Sequence, residues 1–365
     1  MNRYKLGDIS EIQSGPFGTQ LHKDEYVFEG IPMLNSKNIG NGAIVEDSLD
    51  FVPEIVCARL PRYILKEGDI LFGRAGTIER HTYVDSKYDG CFQGTNCIRI
   101  RCKDKQKSLY ISYYLWLSEL KVKIENVAGG SIQSYITTDL LKDIEIEIPD
   151  DYEKRANFLL LIDEKIRNNN QINDNLAAMA YDIYMHNFFL KKPNAKLKDI
   201  LTEAKKSAIQ VGEAKTSNGK YPFFTSGVTI LKWNEPFVDG RNCFLNTGGN
   251  ADVKFYIGKA AYSTDTWSIS AKSEMSDYLY LMLFSIKPEL DQKFFQGTGL
   301  KHLQKPLLKD RPIYVPEKME LEAFNRQVIP MFDIISENTR ENQQLISLRN
   351  WLLPMLMNGQ ATISD

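Results

Sequence analysis

Several stretches of this chain have the residue types and spacing of reaction centres. Phe295-Gln296-Gly297-Thr298-Gly299 has the FxGxG form by which methyltransferases bring backbone against their cofactor. No apolar strand leads into it, and no Pro-Pro occurs, so the Asp/Asn-Pro-Pro-Tyr motif of adenine methyltransferases is missing. Pro149-Asp150 followed by Asp163-Glu164-Lys165 imitates metal-dependent nucleases. That chemistry needs carboxylates and a lysine converging on one metal from adjacent strands. Asp163 and Lys165 instead fall mid-helix on different faces, which reads as a solvated helix surface. No GxxxxGK[ST] is present, so an ATP-driven motor is not expected. The histidines His22, His81, His186 and His302 are scattered without metal-ligand spacing. The five cysteines (Cys57, Cys91, Cys97, Cys102, Cys243) are odd in number and lack CxxC spacing, so reduced thiols are expected. No catalytic residue and no metal ligand is assigned.

The elements that would position any site occur twice. Lys5-Leu6-Gly7-Asp8-Ile9 returns as Lys196-Leu197-Lys198-Asp199-Ile200, and Leu140-Leu141-Lys142-Asp143 as Leu307-Leu308-Lys309-Asp310. Gly130, Ile136 and Pro149 match Gly297, Leu303 and Pro316, and Asn169, Asn173 and Leu176 match Asn338, Asn342 and Leu345. Matched ends around differing middles imply a shared scaffold with exchangeable surfaces. The first part of each copy is strand and loop. Asp69–Phe72, Cys97–Arg101 and Ile144–Ile148 are predicted strands, and Ser108–Val122 a helix. In the second copy, strands are predicted within Asn242–Phe255 and Ala260–Ser270, and a helix over Ser276–Ile286.

The second part of each copy is helical. Glu153–Phe189 contains no Pro or Gly, and Ile162, Ile166, Asn169, Asn173 and Leu176 alternate at three- and four-residue spacing, the seam of a coiled coil. Its counterpart runs Met331, Ile335, Asn338, Asn342 and Leu345, with Arg349 interrupting further on. A lone helix cannot bury such a stripe, so the two are expected to pack antiparallel with the Asn pairs near the seam. Pro330 is expected to bend the second helix or make it start again.

Composition bounds the function. The chain has 365 residues and 43% hydrophobic residues, enough for several cored domains. It has no run of 18 apolar residues, and Met1–Asp8 holds no apolar signal segment, so no membrane contact and a cytoplasmic location are expected. A net charge of −2 argues against a simple basic DNA binder. Charge is uneven, however: residues 1–150 hold 18 Lys/Arg against 22 Asp/Glu, and residues 196–315 hold 17 against 12.

The repeated plan resembles the specificity subunit of type I restriction–modification systems. The resemblance rests on Lys5-Leu6-Gly7-Asp8-Ile9, Ser14-Gly15-Pro16-Phe17-Gly18-Thr19, Gly30-Ile31-Pro32, Gly68-Asp69-Ile70-Leu71-Phe72 and Gly129-Gly130-Ser131-Ile132-Gln133. It covers almost all of residues 3–358, although the second copy lacks the Gly-Pro-Phe-Gly turn. It implies an α+β fold in which two target recognition domains alternate with two long helices. Each domain would be a twisted, mostly antiparallel β-sheet with flanking helices. The long helices would pair as an antiparallel coiled coil about an internal pseudo-twofold. The expected boundaries are 1–150, 151–192, 193–315 and 316–358, with a tail over 359–365. The resemblance further implies a non-catalytic subunit whose domains each read one half of a bipartite, asymmetric sequence in double-stranded DNA. The helices would set the spacer and dock two methyltransferase subunits, which bring S-adenosylmethionine and methylate adenine; restriction (motor) subunits can join them. This chain itself would bind no cofactor. A fused methyltransferase and a β-rich, coiled-coil scaffold that does not bind DNA are the alternatives, the latter kept open by the net charge.

Under this reading, polar residues beside glycine-rich turns are the candidate DNA contacts. In the first domain these are Thr19, Gln20, Lys23, Asn35, Lys37, Asn38, Arg74, Thr77, Arg80, Gln93, Thr95, Asn96, Ser131, Gln133 and Ser134. In the second they are Tyr221, Thr225, Ser226, Asn246, Thr247, Asn250, Thr264, Thr266, Trp267, Lys301 and His302. Arg74 and Arg80 lead the first group because Arg can pair bidentately with guanine, and Lys301 and His302 lead the second.

Overall fold

The computed structural model describes residues 2–40, 42–74, 80–127 and 135–363. The chain forms two compact units, Met1–Lys165 with Leu345–Asp365, and Ile166–Gln344.

The first unit contains β1 (Asn2–Lys5), β2 (Ser10–Ser14), β3 (Ile31–Leu34), β4 (Asp50–Val52), β5 (Ile70–Gly73), β6 (His81–Tyr83), β7 (Phe92–Gln93), β8 (Cys97–Cys102) and β9 (Glu145–Ile148). Their order is β2-β8-β5-β6 in one sheet, β4-β3-β7 in a second and β1-β9 in a ribbon. All pairs are antiparallel except β3 with β7. Strand β8 explains how both faces of the main sheet are used. Side chains alternate across a strand. Ile98 and Ile100 enter the apolar core with Ile70, Phe72, Tyr110 and Ile111. Arg99, on the opposite face, is also buried, donating to Glu11 Oε1 at 2.7 Å, Gln13 Oε1 at 2.8 Å and the Arg62 carbonyl at 2.6 Å.

The second unit contains β10 (Ala195–Lys196), β11 (Leu201–Glu203), β12 (Tyr221–Phe224), β13 (Leu231–Trp233), β14 (Arg241–Asn246), β15 (Val253–Ile257), β16 (Ala261–Tyr262), β17 (Thr266–Ala271), β18 (Phe295–Gln296), β19 (His302–Leu303) and β20 (Pro312–Ile313). Their order is β11-β17-β14-β15, β13-β12-β16 and β10-β20, with β18-β19 as an additional hairpin. Strand for strand, this repeats the first unit, including the single parallel pair, β12 with β16. The matched ends of the two sequence copies adjoin the β1-β9 and β10-β20 ribbons, which register Asn2 with Ile148 and Ala195 with Ile313.

Helix α1 (Lys105–Tyr114) covers the first sheet and helix α3 (Ser276–Ser285) the second. The predicted helix over Ser108–Val122 is two helices, α1 and Ser118–Val127, since the chain turns between them. Tyr278, Leu279 and Leu283 of α3 are buried with Leu245, Trp267 and Ile269. Burial of each such side chain stabilises the unit by roughly 1.5–3 kcal/mol.

Helix α2 (Tyr152–Tyr184) continues into a π-helical turn at Met185–Phe189, and α4 spans Lys318–Met357. The expected restart at Pro330 does not occur. Pro330 and Arg326, whose carbonyl the proline cannot bond, are both exposed, so the freed oxygen is not a buried unpaired acceptor and the helix continues. Within the second unit the helices pair antiparallel through amides. Asn169 Nδ2 donates to Asn342 Oδ1 at 2.9 Å and Glu341 Oε2 at 2.7 Å. Asn342 Nδ2 donates to Asn170 Oδ1 at 2.8 Å, and Asn338 Nδ2 to Asn173 Oδ1 at 2.9 Å. Asn169 and Asn342 are buried; Ile166, Asn173, Leu176, Met331, Ile335, Asn338 and Leu345 are half-buried.

Within the first unit, Ile162 is buried, and Leu356 and Met357 enter the core beside Ala156 and Leu159. Two sequence expectations change here. Arg349, which breaks the apolar seam, forms an ion pair with Asp163 at 2.6 Å. Asp163 is not a solvated surface carboxylate: it is half-buried and also accepts from the Tyr113 hydroxyl at 2.7 Å.

All five cysteines are unpaired, and four are buried. Burial pushes the Cys91 and Cys102 thiols up to about 11, away from reactivity. Among the described residues, no helix is long and apolar enough to cross a membrane.

Candidate nucleic-acid interface

In the first unit, the turn after β2 is built by backbones that touch. A Cβ on Gly15 would lie 2.0 Å from the Gly94 carbonyl oxygen, and one on Gly94 would lie 2.0 Å from Asn35 Oδ1. Only glycine permits this approach. The Gln20 side chain then locks the turn. Its Oε1 accepts from the Phe17 N–H at 3.2 Å and from the Tyr63 hydroxyl at 2.8 Å. The Arg74 N–H donates to the Asn96 carbonyl at 2.9 Å, which joins the end of β5 to the loop before β8.

These loops surround a groove of about 360 Å³ whose lining includes Phe17, His22, Lys23, Arg74, Thr95 and Asn96. Phe17 is 57% exposed. The groove thus presents a guanidinium, an ammonium, an amide and an aromatic face, the groups that read base edges and stack on bases.

Four of the candidates selected from sequence (Lys23, Arg74, Thr95 and Asn96) meet in this groove. Thr19 is exposed beside it, and Arg80 is half-exposed at the start of β6. Others build the scaffold. Asn38 is buried, caps the Asn35 N–H at 3.1 Å and donates to the Val45 carbonyl at 2.9 Å. Asn35 and Lys37 both bind Asp50, at 2.8 and 2.9 Å. Gln93 is buried and donates to the Gln13 and Cys97 carbonyls at 3.0 and 3.2 Å. Thr77, Ser131, Gln133 and Ser134 lie outside the described residues.

The second unit has a smaller cleft, about 190 Å³, at the corresponding place between the end of β11 and the start of β17. Thr264, Thr266 and Trp267 line it, together with Glu203, Lys205, Lys206 and Lys305. Trp267 forms part of the wall although the residue is only 3% exposed; its indole N–H donates to Glu203 Oε2 at 2.9 Å. Thr266 is buried, and its hydroxyl donates to the Phe224 carbonyl at 3.2 Å. Thr225 and Asn246 are likewise buried and spend their polar atoms within the fold. Ser226 donates to the Asp265 carbonyl. Tyr221 and Thr247 are half-buried and Asn250 is exposed. Lys301 and His302 lie on the β18-β19 hairpin, where Lys301 pairs with Asp291 at 3.0 Å. The FxGxG stretch is the same hairpin: Gly297 has φ +150° at its turn, so it does not join a strand to a helix as a cofactor turn would.

Lys205, Lys206 and Lys305 were not among the sequence candidates. The signals available were the Lys205-Lys206 pair and the basic excess of residues 196–315. Among the described residues, no group of three His, Cys, Asp or Glu side chains could hold a metal ion.

A duplicated sheet unit with a polar groove in each copy, and long helices paired through amides, have the plan of a specificity subunit. The family model for the type I restriction modification DNA specificity domain matches residues 1–178 and again 192–347, and the chain belongs to this family. It is 21% identical to the type I restriction enzyme MjaIX specificity subunit of Methanocaldococcus jannaschii, over 99% of this chain and 93% of that one. It is 22% identical to the HindI specificity subunit of Haemophilus influenzae, over 98% of both chains. The solved structure of a type I restriction-modification S subunit from M. genitalium shares the fold: TM-score 0.66 at 14% identity, covering 100% of this chain and 96% of that one.

Proposed function

We propose that this specificity subunit recognises a bipartite, asymmetric sequence in double-stranded DNA, one half through each sheet unit. The observation that carries the proposal is the repeated strand order, which puts a polar groove in the same place in each unit while changing the side chains that line it. One scaffold with two different surfaces suits two unlike half-sites. Base reading falls to Arg74, Lys23 and Asn96 in the first unit and to Thr264 in the second. The paired helices set the spacer and dock two methyltransferase subunits. Those partners bring S-adenosylmethionine and methylate adenine, and restriction subunits can join the assembly. The chain performs no chemistry itself and works in the cytoplasm.

Mapping adenine methylation in the native genome with and without this gene tests the proposal. Deletion is expected to abolish methylation at one split motif with a fixed spacer. An unchanged methylation pattern refutes it.

A further inference from the structure

We propose that the lysines of the cleft between β11 and β17 form a backbone-phosphate site beside the base-reading Thr264, so that the second unit adds a sequence-independent grip on duplex DNA to its reading of one half-site. The inference rests on the DNA-recognition reading above and adds residues and a chemistry to it. Lys205 and Lys206 are exposed at the cleft, and Lys305 is half-buried in it. None of the three has an ion-pair partner among the described residues. Glu203, the one acid in the lining, is already engaged by Lys309 and by the indole N–H of Trp267. Lys305 and Lys309 lie over the Trp267 ring, with Nζ 5.0 and 5.8 Å from its centroid.

The buried indole therefore forms a rigid wall that holds ammonium groups by cation–π attraction without neutralising them. Burial is the main cause that lowers the Lys305 pKa; Glu203 raises it, and Lys206 and Lys309 each lower it by less, so this ammonium sits half-buried among other cations with no ion pair of its own. A phosphodiester oxygen would relieve that crowding. A base edge would not, because three ammonium groups offer only donors and no net negative charge meets them. The first unit has no such excess: residues 1–150 carry fewer basic than acidic side chains.

The test measures binding of the full-length chain to a duplex of arbitrary sequence as a function of salt. Each neutralised phosphate contributes roughly 0.9 to the slope of log K against log salt. The exposed pair Lys205→Gln/Lys206→Gln should lower the slope by about 1.8, so that between 50 and 200 mM salt the wild type loses about 12-fold more affinity than the variant. Lys305→Gln should lower it by about 0.9 more. Lys205→Arg/Lys206→Arg, which keeps the charge, should keep the slope, and circular dichroism checks that every variant is folded.

An unchanged slope in the folded glutamine pair overturns the proposal. So does an equal loss in Lys318→Gln, whose 89%-exposed side chain lies on α4, because the effect would then be general charge. Inorganic phosphate is titrated at constant ionic strength to separate the other source of the same anion. Displacement of DNA at submillimolar phosphate, abolished in the glutamine pair, would make this a small-phosphate pocket and overturn the proposal. A wild-type chain with no measurable DNA affinity fails the recognition reading itself, and this site falls with it.

Discussion

Replacing Asn169 by Leu should destabilise the second unit, and replacing Asn342 as well should restore most of the loss. Asn169 is 1% and Asn342 6% exposed, so neither amide can turn to water. In Asn169→Leu, Asn342 Oδ1 loses its 2.9 Å donor and remains a buried, unpaired acceptor, which costs about 1–3 kcal/mol. Glu341 also loses a donor but is only half-buried and can rehydrate. Asn342→Leu should be milder, because Asn169 keeps its 2.7 Å bond to Glu341 and exposed Asn170 regains water. In the double variant both buried polar groups are gone and two leucines meet at an apolar seam. The coupling between the sites should therefore be about 1–3 kcal/mol in the favourable direction. Urea unfolding of the four proteins, followed by circular dichroism, closes the cycle. Additive effects, with coupling below about 0.5 kcal/mol, would refute the amide layer as a mutually dependent pair.

Three further outcomes follow from the geometry. Burial pushes the His81 imidazole down to about 3, and its Nε2–H donates to the Ser112 carbonyl at 2.8 Å. The unfolded chain, with an ordinary value near ~6.5, takes up this proton first. The histidine's contribution to stability is therefore complete above about pH 6.5 and is lost as pH falls below it, by about 2 kcal/mol at pH 5. In urea melts, the difference between wild type and His81→Gln should shrink by that amount from pH 7 to 5; a constant difference would remove His81 as the cause. Gly15→Ala, which puts a methyl against the Gly94 carbonyl, should cost roughly 1–3 kcal/mol and distort the groove, read as a lower melting temperature. Arg74→Ala should weaken binding by about 1–3 kcal/mol at one half-site only, if it contacts a base. Binding to duplexes altered in either half checks this, and uniform weakening would make Arg74 a phosphate contact.

Much of this architecture is local, and local features are legible in the sequence. The three-and-four spacing from Ile162 to Leu176 encodes one face of a helix, and a matching face near Leu345 requires a partner. The recurrence of Lys5–Ile9 and Leu140–Asp143 marks the ends of each copy, and in both units the first segment runs on from the first strand, and the second ends just before the second strand, of the β1-β9 and β10-β20 ribbons. Gly15 and Gly94 are legible in the sequence as glycines, but only the fold shows that their backbones meet.

Tertiary structure alone decided which polar residues remain available to a ligand. Gln93 and Thr95 are neighbours of similar polarity, but the alternation of strand and loop buries the first and puts the second in the groove. Trp267 and Asn246 look like recognition residues in sequence, yet their polar atoms are consumed by Glu203 and by the Ser226 and Asn250 carbonyls. The lysine cleft joins residue 205 to residue 305. No periodicity links positions so far apart; only the β11-β17 pairing and the helix that begins at Lys305 bring those charges to one place.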